Sequence, residues 1–339
     1  MKVTVSKYLN VRVGAPSVNA PNYQYLAPGS VLEVDGKLYN GDVYDGNALW
    51  YKDLAGNYYW SGGIDYQEDI FTEIQNTIID PFANYKGNGI NIGVGIFDSG
   101  VNDKHKFLNK RVKFYKNFIT GTTLSQISPH GHNVASIIAS DDLKINRNLS
   151  DLYCFRVISK NNFVDEDALL EGLGYLNSNS NLYDNIDIIN LSLNIGDPSY
   201  YLPRIQALID ELLNKGIVSV VAGGNDFNTL DISKLKNVIR VGTFSKEYLS
   251  SFISNGKPKS YDICCLNMPI SCYSLNGVYL TSELQYASAY TAFISAIFSR
   301  YLSLNNFPKD IQRIKELKSY LRLISRPINN NIQPFKLYV

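Results

Sequence analysis

INIGVGIFDSGV, residues 90–101, is an apolar run with small residues interleaved that stops abruptly at Asp98-Ser99-Gly100. Such a run marks a strand buried on both faces of a parallel sheet, where helices cover each side and no polar alternation is needed. Its end puts a carboxylate at the carboxyl edge of the strand, followed by a glycine that frees the turn. Ligands and reactive groups of open α/β sheets gather at that edge. A carboxylate there is either a turn former or a reactive group, and the stretch by itself is compatible with both.

Similar runs recur downstream at residues 152–157, 186–193, 217–221 and 238–242. Amphipathic segments separate them. One opens at Asp165-Glu166-Asp167 and sets Leu169, Leu173 and Leu176 on one face; another carries Ile205, Leu208, Ile209 and Leu212 at i, i+3, i+4 and i+7. Strands alternating with helices predict an α/β fold, a doubly wound and mostly parallel sheet.

Residues 1–65 read differently. Short β-rich runs at 2–6, 9–13 and 30–34 are broken by turn clusters (APSVNAPN, APGS, DGN), and aromatics crowd LWYKDLAGNYYWSGGI, residues 49–64. Through LNVR, Trp50-Tyr51-Lys52 and YYWSGGI this segment resembles the bacterial Src-homology-3-like domain, a small all-β barrel. The resemblance implies a peptide or a neighbouring protein as the barrel's partner. Trp50 and Trp60 are then either core and rim of the barrel or part of its binding face. Polar, aperiodic residues 66–83 predict a linker with a short helix over 70–79, and residues 84–339 form the second domain.

The 32 Lys and Arg nearly cancel the 31 Asp and Glu. No nucleic acid or other polyanion is implied as a partner. MKVTVSKYLNVRVGAPS has no apolar core of signal-peptide length and no run approaches a membrane span, so neither secretion nor a membrane partner is expected. Cys154, Cys264, Cys265 and Cys272 fit neither a disulfide framework nor a zinc spacing and read as free thiols. The expected location is the cytoplasm.

Three further signals lie in the alternating domain. SPHGHNVASIIAS sets His130-Gly131-His132 at the start of a helical pattern. VSVVAGGND runs a buried strand into Gly223-Gly224-Asn225-Asp226, where glycines admit a close backbone approach and an amide reaches the sheet edge. QYASAYTAFISAIFSRYLSLNNFP is apolar or small on nearly every face, as in a buried central helix, and Ser288 stands at its beginning. Taken singly, each is also a cap, a turn or a core residue.

In the order Asp, His, Asn, Ser, these segments resemble the subtilisin-like serine proteases. IFDSGV, HGHNVAS, INLSL at residues 189–193, AGGN and VIRVGTFS at residues 238–245 carry the likeness. It implies a three-layer fold and a serine endopeptidase in which Asp98, His130 and Ser288 form the triad and Asn225 lines the oxyanion hole. Substrate would lie along Leu191, Ser192, Leu193 and Asn194 and against Gly223 and Gly224. Asp226 would stand at the mouth of the specificity pocket and favour a basic side chain. No cofactor or metal is expected, because residues 141–149 are shorter than the family's calcium-holding loop. The chain departs from the family where Tyr286-Ala287 replaces Gly-Thr, where Asn194 replaces a glycine, and where His132-Asn133 replaces Thr-His. Ser282, preceded by Thr281, is the other candidate nucleophile; a helix running from Ser288 to the Phe307-Pro308 stop has the more ordinary length. The rival reading is a subtilisin-like fold without activity, serving as a binding or scaffolding module.

Overall fold

Seven strands make up the aromatic-rich N-terminal segment: β1 (Lys2–Val5), β2 (Leu9–Val13), β3 (Asn22–Leu26), β4 (Val31–Tyr44), β5 (Asn47–Asp53), β6 (Asn57–Trp60) and β7 (Ile64–Asp65). The computed structural model describes residues 2–65, 86–121, 127–140, 147–225, 228–244, 261–267, 270–275, 281–284, 286–324, 326–329 and 332–337. The seven strands form one antiparallel sheet in the order β3-β2-β6-β5-β4-β1-β7. Its edges, β3 and β7, stay unpaired with each other among the described residues. It is a curled antiparallel sheet, consistent with the small β domain expected for these residues. Register shifts between Val34 and Leu38 and between Asn40 and Tyr44 bend the long β4, which pairs with β1 at one end and β5 along the rest. Trp50 and Trp60 are core residues, and their indole N–H groups donate to the carbonyls of Asp42 and Asn47 at 3.0 Å. The linker at residues 66–83 and the helix expected at 70–79 lie outside the described residues.

The principal remaining elements, apart from short helical turns at Ser180–Tyr183 and Asp231–Lys234, are β8 (Gly93–Asp98), β9 (Val112–Asn117), α1 (Pro129–Ile138), β10 (Asp151–Arg156), α2 (Glu166–Ser178), β11 (Ile188–Leu191), α3 (Pro198–Asn214), β12 (Val218–Asn225), β13 (Asn228–Thr229), β14 (Ile239–Phe244), β15 (Ile263–Leu266), β16 (Ile270–Tyr273), β17 (Thr281–Leu284), α4 (Tyr286–Leu304), α5 (Arg313–Ile324), β18 (Arg326–Asn329) and β19 (Ile332–Leu337). Their main sheet runs β18-β19-β15-β14-β12-β11-β8-β10-β9 and is parallel from β9 to β19. β13 and β18 join it antiparallel.

Side chains of the central strands alternate between two cores. Val94, Ile96, Leu152, Cys154, Ile188 and Val220 pack with α1, α4 and α5. Phe97, Tyr153, Phe155, Ile189, Leu191 and Val221 pack with α2 and α3. Both faces of the sheet are therefore covered, which is why its strands read as unbroken apolar runs. After β8 the chain builds β9 and β10 on one side and then returns to start β11 on the other. The carboxyl ends of β8 and β11 thus diverge at a topological switch point, the place where such a sheet opens a crevice. No helix among the described residues is long and apolar enough to cross a membrane. All four cysteines are free and buried.

Candidate active site

Asp98 ends β8 at the switch point and is 1% exposed. Its Oδ1 accepts the Ser99 N–H at 2.7 Å, and its two oxygens lie 2.9 and 3.0 Å from His130 Nδ1. His130 enters from the first turn of α1. That helix begins with Pro129, whose fixed φ suits a first position, and the Ser128 hydroxyl caps the His130 N–H. Ser99, which the sequence reading did not single out, joins the two segments: its hydroxyl donates to the Ser128 carbonyl at 3.0 Å and accepts the Gly131 N–H at 2.9 Å. Residue 131 has to be glycine, because a Cβ there would stand 2.6 Å from the Gly100 carbonyl oxygen and 2.9 Å from Asp98 Oδ1. Burial pulls the His130 imidazole down, but the charge and hydrogen bond of Asp98 outweigh it and leave its pKa above the ordinary 6.5.

Ser288 lies in the first turn of α4. Its hydroxyl donates to the Ser192 carbonyl at 3.3 Å, and the Ser192 hydroxyl donates to the Ser288 carbonyl at 3.1 Å and to Asn190 Oδ1 at 2.8 Å. Among the described residues no hydrogen bond joins Ser288 to His130. Ser282 is set apart from the helix start, on β17, opposite Cys272 of β16. The turn before Ser288 is held by two asparagines. Asn267 Oδ1 accepts the Tyr286 N–H, and Asn225 Oδ1 accepts the Ala287 N–H, both at 2.8 Å. Tyr286 has φ 68°, a left-handed conformation that glycine adopts without the Cβ penalty.

Asn225 ends β12, beside β11, and its Oδ1 also accepts the Thr243 hydroxyl at 2.9 Å. Asp98, Ser192, Asn225 and, through its bond to Ser192, Ser288 thus meet at one sheet edge. Leu191 and Leu193 are buried in the core under α2 and α3, whereas Asn194 is exposed and its Oδ1 accepts the Ile232 N–H at 3.3 Å. A Cβ on Gly223 would strike the Tyr261 ring at 2.7 Å, so packing alone demands that glycine. Gly224, at φ 136°, follows the register shift between Ala222 and Gly224, and pairing resumes there before β12 ends at Asn225. Asp226 lies outside the described residues. Ser99, Thr243 and Asn267 escaped the sequence reading because their roles depend on register and loop approach; no spacing along the chain encodes them.

His132, two positions after His130, is fully buried. Its ring lies edge-on to that of His105 with centroids 4.8 Å apart, and His105 in turn packs against Tyr273 at 5.1 Å. Burial, reinforced by His105, pushes the His132 pKa down to about 3, and the Ser274 backbone offsets only part of this.

The family model described as the subtilase family (Peptidase_S8) matches residues 89–306. Over 174 residues the chain is 30% identical to the membrane-bound transcription factor site-1 protease of Homo sapiens, covering 50% of this chain and 16% of that protein. Over 181 residues it is 29% identical to subtilisin amylosacchariticus of Bacillus subtilis subsp. amylosacchariticus, covering 50% and 45% respectively. It therefore spans less than half the length of these curated relatives. A crystal structure of a cold adapted subtilisin-like serine proteinase superposes with a TM-score of 0.59 at 19% identity, covering 77% of this chain and 96% of that one, a likeness of fold.

Proposed function

The chain belongs to the subtilase family, and from that premise we propose that it is a serine endopeptidase acting on a protein substrate in limited proteolysis within the cytoplasm. The observation that carries the proposal is the pairing of buried Asp98 with His130 Nδ1 at 2.9 and 3.0 Å, at the same sheet edge as Asn225. Asp98 fixes the proton on Nδ1 and leaves Nε2 as the acceptor. Ser288 leaves the Ser192 carbonyl, gives its proton to His130 Nε2 and attacks the scissile carbonyl; His130 then gives that proton to the leaving amine. The Asn225 amide and the Ser288 N–H stabilise the oxyanion. A substrate strand lies along residues 191–194 and adds to the sheet edge. Asp226 selects a basic side chain before the scissile bond. The chemistry names no cofactor or metal.

Residues 1–65 serve as a bacterial Src-homology-3-like domain, joined by 66–83 to the protease domain at 84–339. Its partner is a peptide or protein seated in a cleft of about 240 Å³ lined by Lys7, Tyr8, Arg12, Tyr44 and Trp60. The rival reading, a fold without activity, has the Ser288 hydroxyl's bond to Ser192 in its favour. One experiment separates the two: labelling with a serine-reactive fluorophosphonate, followed by mass-spectrometric mapping in the unaltered chain, Ser288→Ala and Ser282→Ala. The adduct is expected on Ser288 and absent only from Ser288→Ala. An unlabelled chain would leave the scaffold reading, and an adduct on Ser282 would overturn the assignment of the nucleophile.

A further inference from the structure

Thr243 is fully buried on β14, and the parallel register places it opposite Asn225 at the end of β12. Its hydroxyl donates to Asn225 Oδ1 at 2.9 Å, while the Ala287 N–H donates to the same oxygen at 2.8 Å. An amide is planar, with its oxygen and its NH2 group on opposite sides of one carbon. The Ala287 N–H can only donate, so it settles which end of the amide faces the helix. One hydrogen bond still leaves the amide plane free to swing about that contact. The second donor, arriving from a neighbouring strand, fixes the plane and thereby the direction of the Asn225 N–H bonds. Two donors on the carbonyl oxygen also draw charge from the amide nitrogen, which strengthens its N–H groups as donors.

We infer that Thr243 is a positioning residue for the oxyanion hole, holding the Asn225 amide in the orientation that receives the developing negative charge. The inference rests on the proposed oxyanion role of Asn225. It also fits the Tyr286-Ala287 departure, because Ala287 carries no hydroxyl on the segment beside the nucleophile. Orientation aimed at the oxyanion acts on the transition state and not on the bound ground state, so its loss belongs in kcat.

The test measures kcat and KM on an unstructured chromogenic peptide, and the rate of fluorophosphonate labelling, for full-length Thr243→Val, Thr243→Ser, Asn225→Ala and the Thr243→Val/Asn225→Ala pair. Thr243→Val keeps the volume and removes the hydroxyl. It should lower kcat about tenfold, the value of one hydrogen bond, with KM unchanged. Thr243→Ser should restore the rate. Asn225→Ala should lose about 10²–10³ in kcat, and adding Thr243→Val to it should cost nothing more. If Thr243→Val loses its melting transition, Thr243→Ala removes the same hydroxyl without a buried methyl and carries the same expectation. Full kcat in both hydroxyl-less variants, a loss expressed in KM, or an equal loss in the Asn225→Ala background would overturn the positioning role alone. Full activity in Asn225→Ala would overturn the oxyanion assignment and the inference together.

Discussion

His130 and His132 stand two residues apart in the first turns of one helix, and their surroundings drive them in opposite directions. Burial opposes the charged form of both imidazoles. At His130 the carboxylate of Asp98 meets Nδ1 and reverses the effect, so its pKa ends above 6.5. At His132 no carboxylate among the described residues offsets the burial; the imidazole of His105 lies edge-on to it instead, and the pKa falls to about 3. Burial weighs on both rings, and the carboxylate beside one of them is what separates the two outcomes.

The largest expected break in this contrast comes from Asp98→Asn. An amide N–H facing Nδ1 imposes the wrong tautomer, with the proton on Nε2, so kcat should fall by about 10⁴. The acidic limb of the kcat/KM profile should also move to lower pH, because the carboxylate that holds the His130 pKa up is gone. A limb that stays in place would show that Asp98 does not set it.

His132 sharpens the contrast through stability. The unfolded chain takes up a proton at this residue below about 6.5, whereas the folded chain does so only near 3. Protonation therefore favours unfolding across that window. The full stability is present above the unfolded value and drains away as pH falls, by roughly 1.4 kcal/mol per unit from this group. Urea titrations from pH 7 to pH 4 should show the decline, and His132→Leu should flatten it while leaving kcat at neutral pH intact. An equally steep decline in His132→Leu would assign the acid lability elsewhere.

Gly131, between the two histidines, offers a smaller effect. Gly131→Ala forces a Cβ against the Gly100 carbonyl and Asp98 and should cost about 1–3 kcal/mol by overpacking. Activity should fall as His130 is pushed off Asp98, and His132 should remain buried. Unchanged turnover with unchanged melting would mean that the helix start yields freely. The smallest effect expected is none: with all four cysteines free and buried, melting should be the same with and without dithiothreitol.

Much of this was legible in the chain because it is local. A strand covered on both faces cannot hide its apolar run, so β8, β10, β11, β12 and β14 were found to within a few residues. Asp98 and Asn225 were visible as polar residues closing such runs. The edge strand β9, VKFYKN, was missed because its half-exposed face interrupts the apolar pattern, and α5 was missed in a charged stretch whose buried face is a narrow stripe. In residues 1–65 the turn clusters announced a small β domain, but the bends of the long β4 are set by its pairing with β1 and β5, which turn-residue patterns do not locate.

Residue types and their order determined the layer architecture, the family and the candidates Asp98, His130, Asn225 and Ser288, since burial on two faces and a reactive group at a strand end leave a local trace. Only the tertiary structure decided which oxygen the Ser288 hydroxyl meets, that Tyr286 takes a left-handed turn, that Gly223 yields to Tyr261, and that Thr243 reaches Asn225. Each of these depends on the register or approach of segments far apart in the chain, and such pairings follow from how the whole sheet and its helices pack.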